Sequence, residues 1–154
     1  MQSQYLSNSA VLSPVAILLS EDGGRKNAAT ISFFSEVSHD PATLWVSLAP
    51  CSYTRELVQS SGRFTLAVLH SGQRNLAWHC ALSSGRDIDK LAGVPTHRGP
   101  QDFLYLNDSL AAAACQVRCS KPFGDHVLLI AEILAGEWET RNSMRRALLT
   151  KDLL

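Results

Sequence analysis

Polar side chains that could bind a phosphate group are concentrated in two short stretches of the sequence. The second of these stretches runs from Ser52 to Arg55. The first precedes it in the chain and contains Arg25, Lys26, Asn27, Thr30 and Ser32. Hydroxyls and backbone N–H groups at a helix start, near guanidinium or ammonium groups, are what a phosphate needs. Ser52 and Thr54 also fit simple capping of a helix, and their spacing alone favours that interpretation. The residues by themselves therefore indicate a candidate phosphate site and nothing more specific.

Common catalytic motifs are absent from the sequence, which contains no GxGxxG after a strand, no GxxxxGK[ST], no HExxH and no GxSxG. His39-Asp40-Pro41 is expected at a turn, where Asp-Pro sets backbone geometry. His79 is interpreted as a partly buried structural histidine, because no nucleophile is evident near it. Arg141, Arg145 and Arg146 fit the solvated face of a helix at the end of the chain.

The four cysteines, Cys51, Cys80, Cys115 and Cys119, form no CxxC pair and match no disulfide framework. Cys115 and Cys119 are expected on one strand, which would place them roughly 13 Å apart, too far to bond. We therefore expect free thiols and a cytoplasmic protein. A metal site is not expected, because tetrahedral sites show paired ligand spacings and His79-Cys80 is the one close pair.

Composition limits the classes of protein to consider. The chain has 154 residues, 45% of them hydrophobic and 18% charged, with 14 basic residues balanced by 14 acidic ones. This predicts a single domain over residues 1–154 with a substantial core. Zero net charge argues against a nucleic-acid partner, which would need a basic face. Ser13-Pro14 interrupts the uncharged first 20 residues, so we expect neither an export signal nor a membrane segment.

The elements that must position these residues are short and mostly extended. A hairpin is predicted in which PVAILLS and NAATISFF flank the turn EDGGRK, and a strand follows over Thr43–Ala49. A helix is predicted to begin at Ser52 or Thr54, to bury Leu57 and Val58, and to end at Gly62.

The second half of the chain continues in the same way. A strand is expected over Arg63–His70, a helix over QRNLAWHCALSS with a stripe of Leu76, Ala77, Cys80 and Ala81, and a loop-rich stretch from Gly85 to Gly99. Two long strands, Ala111–Cys119 and His126–Trp138, flank the turn KPFGD, and the residues beyond Thr140 read as a helix. About six strands with two or three short helices, and no regular βαβ alternation, predict a mainly β, antiparallel barrel with Greek-key-like connections.

The ordered series of segments resembles the flavin reductase-like, FMN-binding split-barrel family. SEVSHDPA resembles the family's SxVSxDPP, CSYT its SxT helix start, SGRFTLAVL its SGxFxVNVL strand, AAAACQV its aLEC.V, and GDHVLLIAEILAG its GDHxIxIGxV. Gln73 with Leu76-Ala77 and the DIDKL stretch also fit, so the resemblance covers roughly residues 12–137. Departures are Ala42 for the second Pro of DPP, Ala67 for the Asn of VNVL, and RRALLTKDLL in place of the usual ending.

The resemblance implies a split barrel that binds FMN, or alternatively FAD, in a groove at a homodimer interface. It implies contacts to the isoalloxazine edge from Asn27, Ala28, Ala29 and Thr30. It implies that Ser47, Pro50, Cys51 and Ser52 line the ring and ribityl chain, and that Ser52, Thr54 and Lys26 reach the phosphate. His126 matches the histidine of GDH, near the approach of a nicotinamide. Alternatively, Asn27 closes a turn, Cys51 is filler, and Asp125-His126 is an ordinary strand start.

The function implied by the resemblance is reduction of FMN by NADH or NADPH, with reduced flavin passed to a flavin-dependent oxygenase or another acceptor. The cofactor carries this chemistry, so no acid–base pair or nucleophile in the protein is required. A second hypothesis is a non-catalytic FMN-binding carrier or electron-relay protein. A third keeps the barrel without flavin, as a dimeric structural module.

Overall fold

A seven-stranded antiparallel sheet dominates the structure, a computed structural model that describes residues 12–138 and 144–153. Its strands are β1 (Ala16–Asp22), β2 (Arg25–Ile31), β3 (Phe34–His39), β4 (Ala42–Leu48), β5 (Arg63–Val68), β8 (Ala111–Phe123) and β9 (His126–Trp138), in the order β2-β1-β5-β8-β9-β4-β3. β6 (Thr96–Arg98) and β7 (Leu104–Leu106) form a separate pair. The helices are α1 (Tyr53–Ser61) and α2 (Arg74–Leu82), with short 3₁₀ turns at Ser71–Gln73, Pro100–Asp102 and Thr150–Leu153.

The two edge strands of the sheet, β2 and β3, are consecutive in the chain. β2 pairs with β1, whereas β3 pairs with β4, so the chain crosses between the edges at Ser32 and Phe33. The carbonyl of Phe33 accepts a hydrogen bond from the Ser47 N–H at 3.0 Å, which fixes this corner to β4. The sheet is split-barrel-like and not a closed barrel, and the mainly β, antiparallel prediction is confirmed. The corner also divides the run NAATISFF, which is why the sheet has seven strands where about six were expected.

Two hydrophobic clusters lie on opposite faces of the sheet. The first includes Leu18, Val46 and Phe64 and packs beneath α1. The second lies on the other face of β1 and includes Ile17, Leu69 and Tyr105. Because alternate residues of a strand point to opposite faces, the continuous apolar run of β1 buries both of its faces. Val15 to Leu19 are all at most 2% exposed.

α1 forms as the sequence predicts. The Ser52 Oγ caps it by accepting a hydrogen bond from the Arg55 N–H at 3.0 Å. Gly62 ends it in the left-handed conformation, at φ 72°, with its N–H bonded to the Val58 carbonyl at 2.7 Å. Leu57 and Val58 are fully buried. The Ser52 cap sets where α1 begins, which is the end of the helix that faces the site, and Gly62 sets where it ends.

α2 begins one residue later than predicted and buries a narrower face. Ala77 and Cys80 are buried and Leu76 is partly buried, but Ala81 is exposed. The loop-rich stretch after α2 contains the short strand β6. β8 and β9 match the predicted long strands, although β8 extends to Phe123 and carries register shifts near Cys115 and Cys119.

The helix predicted beyond Thr140 is wrong over the described residues of that segment, and Arg141 lies outside them. Residues 144–149 form no helix, and isolated bridges join Leu149 to Pro14 and Ala147 to His70. Leu148 is fully buried, because the backbone there bonds to both Val15 and Leu69. A segment whose backbone joins two strands cannot also satisfy its own helical hydrogen bonds. Only Thr150–Leu153 turns, as a 3₁₀ helix.

None of the helices in the described part of the chain is long and apolar enough to cross a membrane. All four cysteines are free thiols.

Candidate functional site

A groove of about 390 Å³ opens where β2 and β4 end, beside the start of α1 and the end of α2. Five of the residues predicted for the site line it: Ala29, Thr30, Ser47, Ser52 and His126. They come from four separate elements, and the chain crossing at Ser32 and Phe33 forms part of the same wall. Its volume falls in the range of small-molecule sites, about 300–1,000 Å³.

Thr30 ties one wall of the groove together. Its Oγ1 donates a hydrogen bond to the Ala77 carbonyl of α2 at 2.6 Å. The hydroxyl proton is therefore used by the protein, whereas the oxygen can still accept a hydrogen bond. Thr30 thus holds α2 against β2 and so fixes the width of the groove.

The N-terminus of α1 opens onto the groove at Ser52. The first turn of a helix has backbone N–H groups without helical partners, and its dipole favours negative charge nearby. The Ser52 hydroxyl oxygen satisfies the Arg55 N–H. The capping interpretation of Ser52 is therefore confirmed, and the same geometry leaves this end of the helix suited to an anion.

Asn27 and Thr54 lie beneath the surface, because they are 2% and 1% exposed. The Asn27 Nδ2 donates a hydrogen bond to the Thr54 Oγ1 at 2.7 Å, which joins β2 to α1. Gly85 packs directly on the Asn27 amide, since a Cβ at that position would overlap Asn27 Oδ1. The structure therefore shows this pair in contact with each other and does not include it in the groove lining.

Lys26 lines a different cavity, which we name the charged cleft, of about 620 Å³. Its other charged lining residues are Arg25, Arg86, Asp87 and Asp89. The Lys26 Nζ lies 3.8 Å from the Glu21 Oε2. Along β2, Arg25 and Lys26 thus belong to the cleft, whereas Ala29 and Thr30 belong to the groove.

The last three predicted site residues do not line the groove. Ala28 is fully buried in the core cluster around Ile17. Pro50 and Cys51 are exposed in the turn between β4 and α1, immediately before Ser52.

Lys90 lines the groove, and the sequence reasoning did not select it as a site residue. It is only 6% exposed, and its Nζ donates a hydrogen bond to the Cys80 carbonyl at 2.8 Å. Burial lowers the pKa of its ammonium group. The one signal in the sequence was the DIDKL match, but nothing local shows that a lysine in a loop-rich stretch is buried.

Two side chains beside Lys90 explain its position. His79 Nε2 bonds to the Lys90 carbonyl at 2.9 Å, so the histidine is structural, as predicted, although it is exposed. Cys80 also lines the groove, and burial raises the pKa of its thiol to about 11. That thiol is therefore neutral near pH 7 and does not offset the lysine charge.

His126 lies at the start of β9, and its ring contacts Asp125 and Phe33. Its Nδ1 is 2.8 Å from the Asp125 Oδ1, and this hydrogen bond lowers the pKa of Asp125. Its ring centroid lies 5.3 Å from that of Phe33, with the planes tilted by 50°. Phe33 is half exposed, so the aromatic pair forms an accessible wall of the groove.

Among residues 12–138 and 144–153, no group of three or more His, Cys, Asp or Glu side chains could hold a metal ion.

Known proteins similar to this chain share its fold, and their sequences align with most of its length. A family model described as flavin reductase like domain matches residues 8–151. A solved structure of a putative flavin reductase from Haemophilus somnus has a TM-score of 0.86 at 20% identity, covering 100% of this chain and 97% of that one. At this identity the likeness concerns the fold.

Two curated relatives are 32% identical to this chain. The actinorhodin polyketide dimerase of Streptomyces coelicolor matches over 77% of this chain and 66% of its own length. The NADPH-flavin oxidoreductase of Streptomyces viridifaciens matches over 79% of this chain and 64% of its own length. The chain thus spans just under two thirds of each of these relatives.

Proposed function

This chain belongs to the flavin reductase like domain family, and from that premise we propose that it is a flavin-binding oxidoreductase that uses NAD(P)H to reduce FMN. The observation that carries the proposal is the groove itself. It brings together a helix N-terminus, a buried lysine and small side chains at the meeting point of four elements. Relatives that include an NADPH-flavin oxidoreductase support the same activity.

The residues of the groove fit FMN. No carboxylate is among the described residues that line it, and its charged side chain is a lysine. Ala29, Ala49 and Ala81 make a wall of small side chains that a flat ring can approach closely. Backbone groups of the chain corner and hydroxyls of Thr30, Ser47 and Ser52 supply the polar contacts that fix orientation. A planar, hydrogen-bonding ligand with an anionic end matches this donor set.

We assign roles to the predicted residues by their position. Ala29, Thr30 and Ser47 would contact the ring and ribityl chain, and Ser52 at the start of α1 would hold the phosphate. Asn27 and Thr54 would support that helix end from beneath, through their 2.7 Å hydrogen bond. Lys26, Ala28, Pro50 and Cys51, which lie outside the lining, would act only by shaping the walls.

When bound, the flavin supplies the redox chemistry, in which a reduced nicotinamide donates a hydride to the flavin ring. The protein then has to bind, orient and exclude water. His126 would orient the nicotinamide, since Asp125 holds its Nδ1 and thereby sets the direction of the ring. Phe33, which contacts His126, would cover the apolar face of the incoming ring.

The proposed partners, flavin and electron donor rest on the family resemblance. The protein would act as a homodimer and pass reduced flavin to a flavin-dependent oxygenase. FAD is the alternative flavin, and both NADH and NADPH are candidate donors. A flavin carrier or electron-relay protein without turnover is the second candidate, because a groove that binds flavin does not by itself require a nicotinamide site.

The absorbance spectrum of the purified protein, with and without added FMN, tests flavin binding. We expect bound FMN, or uptake of it, with a band near roughly 450 nm, where oxidised flavin absorbs. Protein that neither carries nor takes up FMN or FAD would exclude both flavin functions and leave a structural module.

Stopped-flow mixing of the flavin-loaded protein with NADH or NADPH tests turnover. We expect the flavin band to bleach with at least one donor and to return when oxygen is admitted. Loaded protein that keeps its band with both donors would favour the carrier.

A further inference from the structure

Lys90 is a buried cation with less hydrogen bonding than it can make. It is 6% exposed, and the structure describes one hydrogen bond of its ammonium group, to the Cys80 carbonyl. An ammonium group has three donors. A charge removed from water is costly unless it is paired, and no carboxylate lies within ion-pair distance of Lys90 among the described residues.

Capping of α2 explains only part of this arrangement. A lysine near the C-terminus of a helix stabilises it by binding its last carbonyls. Cys80 belongs to the last turn of α2, so one hydrogen bond of Lys90 has that purpose. A lysine that caps a helix in this way normally keeps its ammonium group in water, at the end of a flexible aliphatic side chain. Lys90 is instead anchored twice, because His79 also bonds to its backbone carbonyl.

Lys90 lies in a lining that contains a second feature favourable to anions. The groove has this lysine and the N-terminus of α1 in one lining, and none of its lining residues in the described part of the chain is acidic. Both features favour negative charge, and they come from segments far apart in the sequence. The sequence suggested Lys26 as the cation that pairs with a phosphate. Lys26 lies instead in the charged cleft, beside Glu21.

We propose that Lys90 binds an anionic oxygen of the flavin held in the groove. The anionic oxygen belongs either to the phosphate or to the reduced ring, and the experiment below separates these two sources. This inference rests on the proposed function, since it concerns the same ligand. It adds a charged binding residue that the family resemblance did not assign.

Three substitutions of Lys90 separate charge from helix capping. Lys90→Gln removes the charge but keeps an N–H donor for the Cys80 carbonyl, Lys90→Met removes both, and Lys90→Arg keeps both. Lys151→Gln is the matched control, because Lys151 is exposed at the C-terminal 3₁₀ turn and does not line the groove. Each variant is titrated with FMN and with riboflavin, its midpoint potential is measured with FMN bound, and its Tm is recorded.

If Lys90 holds the phosphate, Lys90→Gln weakens FMN binding by about tenfold or more, the scale of a charge-assisted hydrogen bond, while riboflavin binding is unchanged. If Lys90 faces the reduced ring, Lys90→Gln makes the midpoint potential of bound FMN more negative with little change in oxidised FMN affinity. Lys90→Arg retains the wild-type values in both cases. Either pattern supports the proposal.

The proposal is overturned if Lys90→Gln keeps the wild-type affinities and potential. It is also overturned if Lys90→Met lowers the Tm and weakens FMN and riboflavin equally, with an unchanged potential, because capping of α2 would then account for the lysine. Lys90→Gln keeps the test decisive if Lys90→Met does not fold. Wild-type protein that binds no flavin would contradict the proposed function itself, whereas wild-type binding with unaffected Lys90 variants would contradict this inference alone.

Discussion

The groove and the charged cleft lie next to each other along β2, yet they hold positive charge in opposite ways. In the cleft, Arg25 and Arg86 both reach Glu56, at 3.8 and 2.6 Å, and Lys26 lies near Glu21. The three cationic side chains are between 43% and 50% exposed. In the groove, Lys90 is buried and bonds to a neutral carbonyl. The cavity with more cations therefore has less unbalanced charge.

The difference shows that the number of cations around a cavity is a poor guide to anion binding. Exposed ion pairs contribute little and are screened by salt, because water already solvates both partners. A buried ammonium without a carboxylate loses that solvation and interacts strongly with any anion that replaces it. Asn27 contacts both Thr54 and Gly85, and Gly85 lines the cleft, so changes at these residues and in either cavity test the comparison.

The largest expected effect is at Gly85. In Gly85→Ala, the new Cβ would overlap the buried amide of Asn27 and lie 2.8 Å from Tyr53 Cδ1. We expect a loss of about 1–3 kcal/mol in the free energy of unfolding, measured by urea denaturation. The loss should be smaller when Gly85→Ala is made in an Asn27→Ala background, because the main clash is removed there. An equal loss in both backgrounds would contradict this contact.

Removal of the Thr54 hydroxyl should have the next largest effect. Thr54→Val leaves the Asn27 amide without its acceptor in a buried position, which costs about 1–2 kcal/mol of unfolding free energy. We expect FMN and riboflavin to lose affinity equally, because the hydroxyl is used beneath the groove. Titration of both flavins checks this, with Thr43→Val as a control at an exposed hydroxyl. A loss confined to FMN would mean that Thr54 contacts the phosphate directly.

FMN affinity should also depend on pH through Lys90. Burial lowers the pKa of this ammonium below its ordinary value of 10.5, and an anion beside it raises that pKa again. Affinity is therefore full where Lys90 is protonated, and it falls as pH rises through the pKa of the free protein, by up to about tenfold. Fluorescence titrations from about pH 7 to 10 measure this. Lys90→Arg should keep its affinity across the same range, and an identical fall in that variant would assign the effect to another group.

The smallest effect is expected from the charged cleft. Arg86→Gln removes a cation that is half exposed and already paired with Glu56. FMN affinity should change by less than about twofold at low salt, and the change should vanish at high salt, because exposed pairs are screened. Binding titrations at the two ionic strengths measure this. A loss as large as that of Lys90→Gln would show that the cleft also binds the ligand.

Much of the fold could be read from local pattern. α1 has its serine cap, two buried apolar residues and a C-terminal glycine in the order that capping chemistry requires. Alternating residues in β4 and the Gly-Gly turn before β2 likewise carry their own structural information. The C-terminal segment shows the limit, since RRALLTKDLL has a helical pattern but Leu148 is placed in the core between two strands. The hydrogen bonds to Val15 and Leu69 compete with helix formation, and the sequence of the segment itself does not show them.

The candidate site was predictable only in part. Ala29, Thr30, Ser47, Ser52 and His126 line one groove because the ends of β2 and β4 meet the starts of α1 and β9. Lys26 and Thr54 belong to the same short stretches, but Lys26 lies toward the other end of β2, in the charged cleft, and Thr54 is buried in the first turn of α1. A strand rises about 3.3 Å per residue, so residues four positions apart lie roughly 13 Å apart, and a polar cluster in sequence need not be a cluster in space.

By itself, the sequence determined most of the elements, the antiparallel class and the family, because turn glycines, caps and apolar periodicity act over a few residues. Only the tertiary structure decided which charges share a cavity. Lys90 is far from Ser52 along the chain, and its burial depends on α2 being held against β2 by Thr30 and on the bond from His79. Burial and charge pairing are set by long-range packing, so the buried lysine of the groove became visible only in the folded chain.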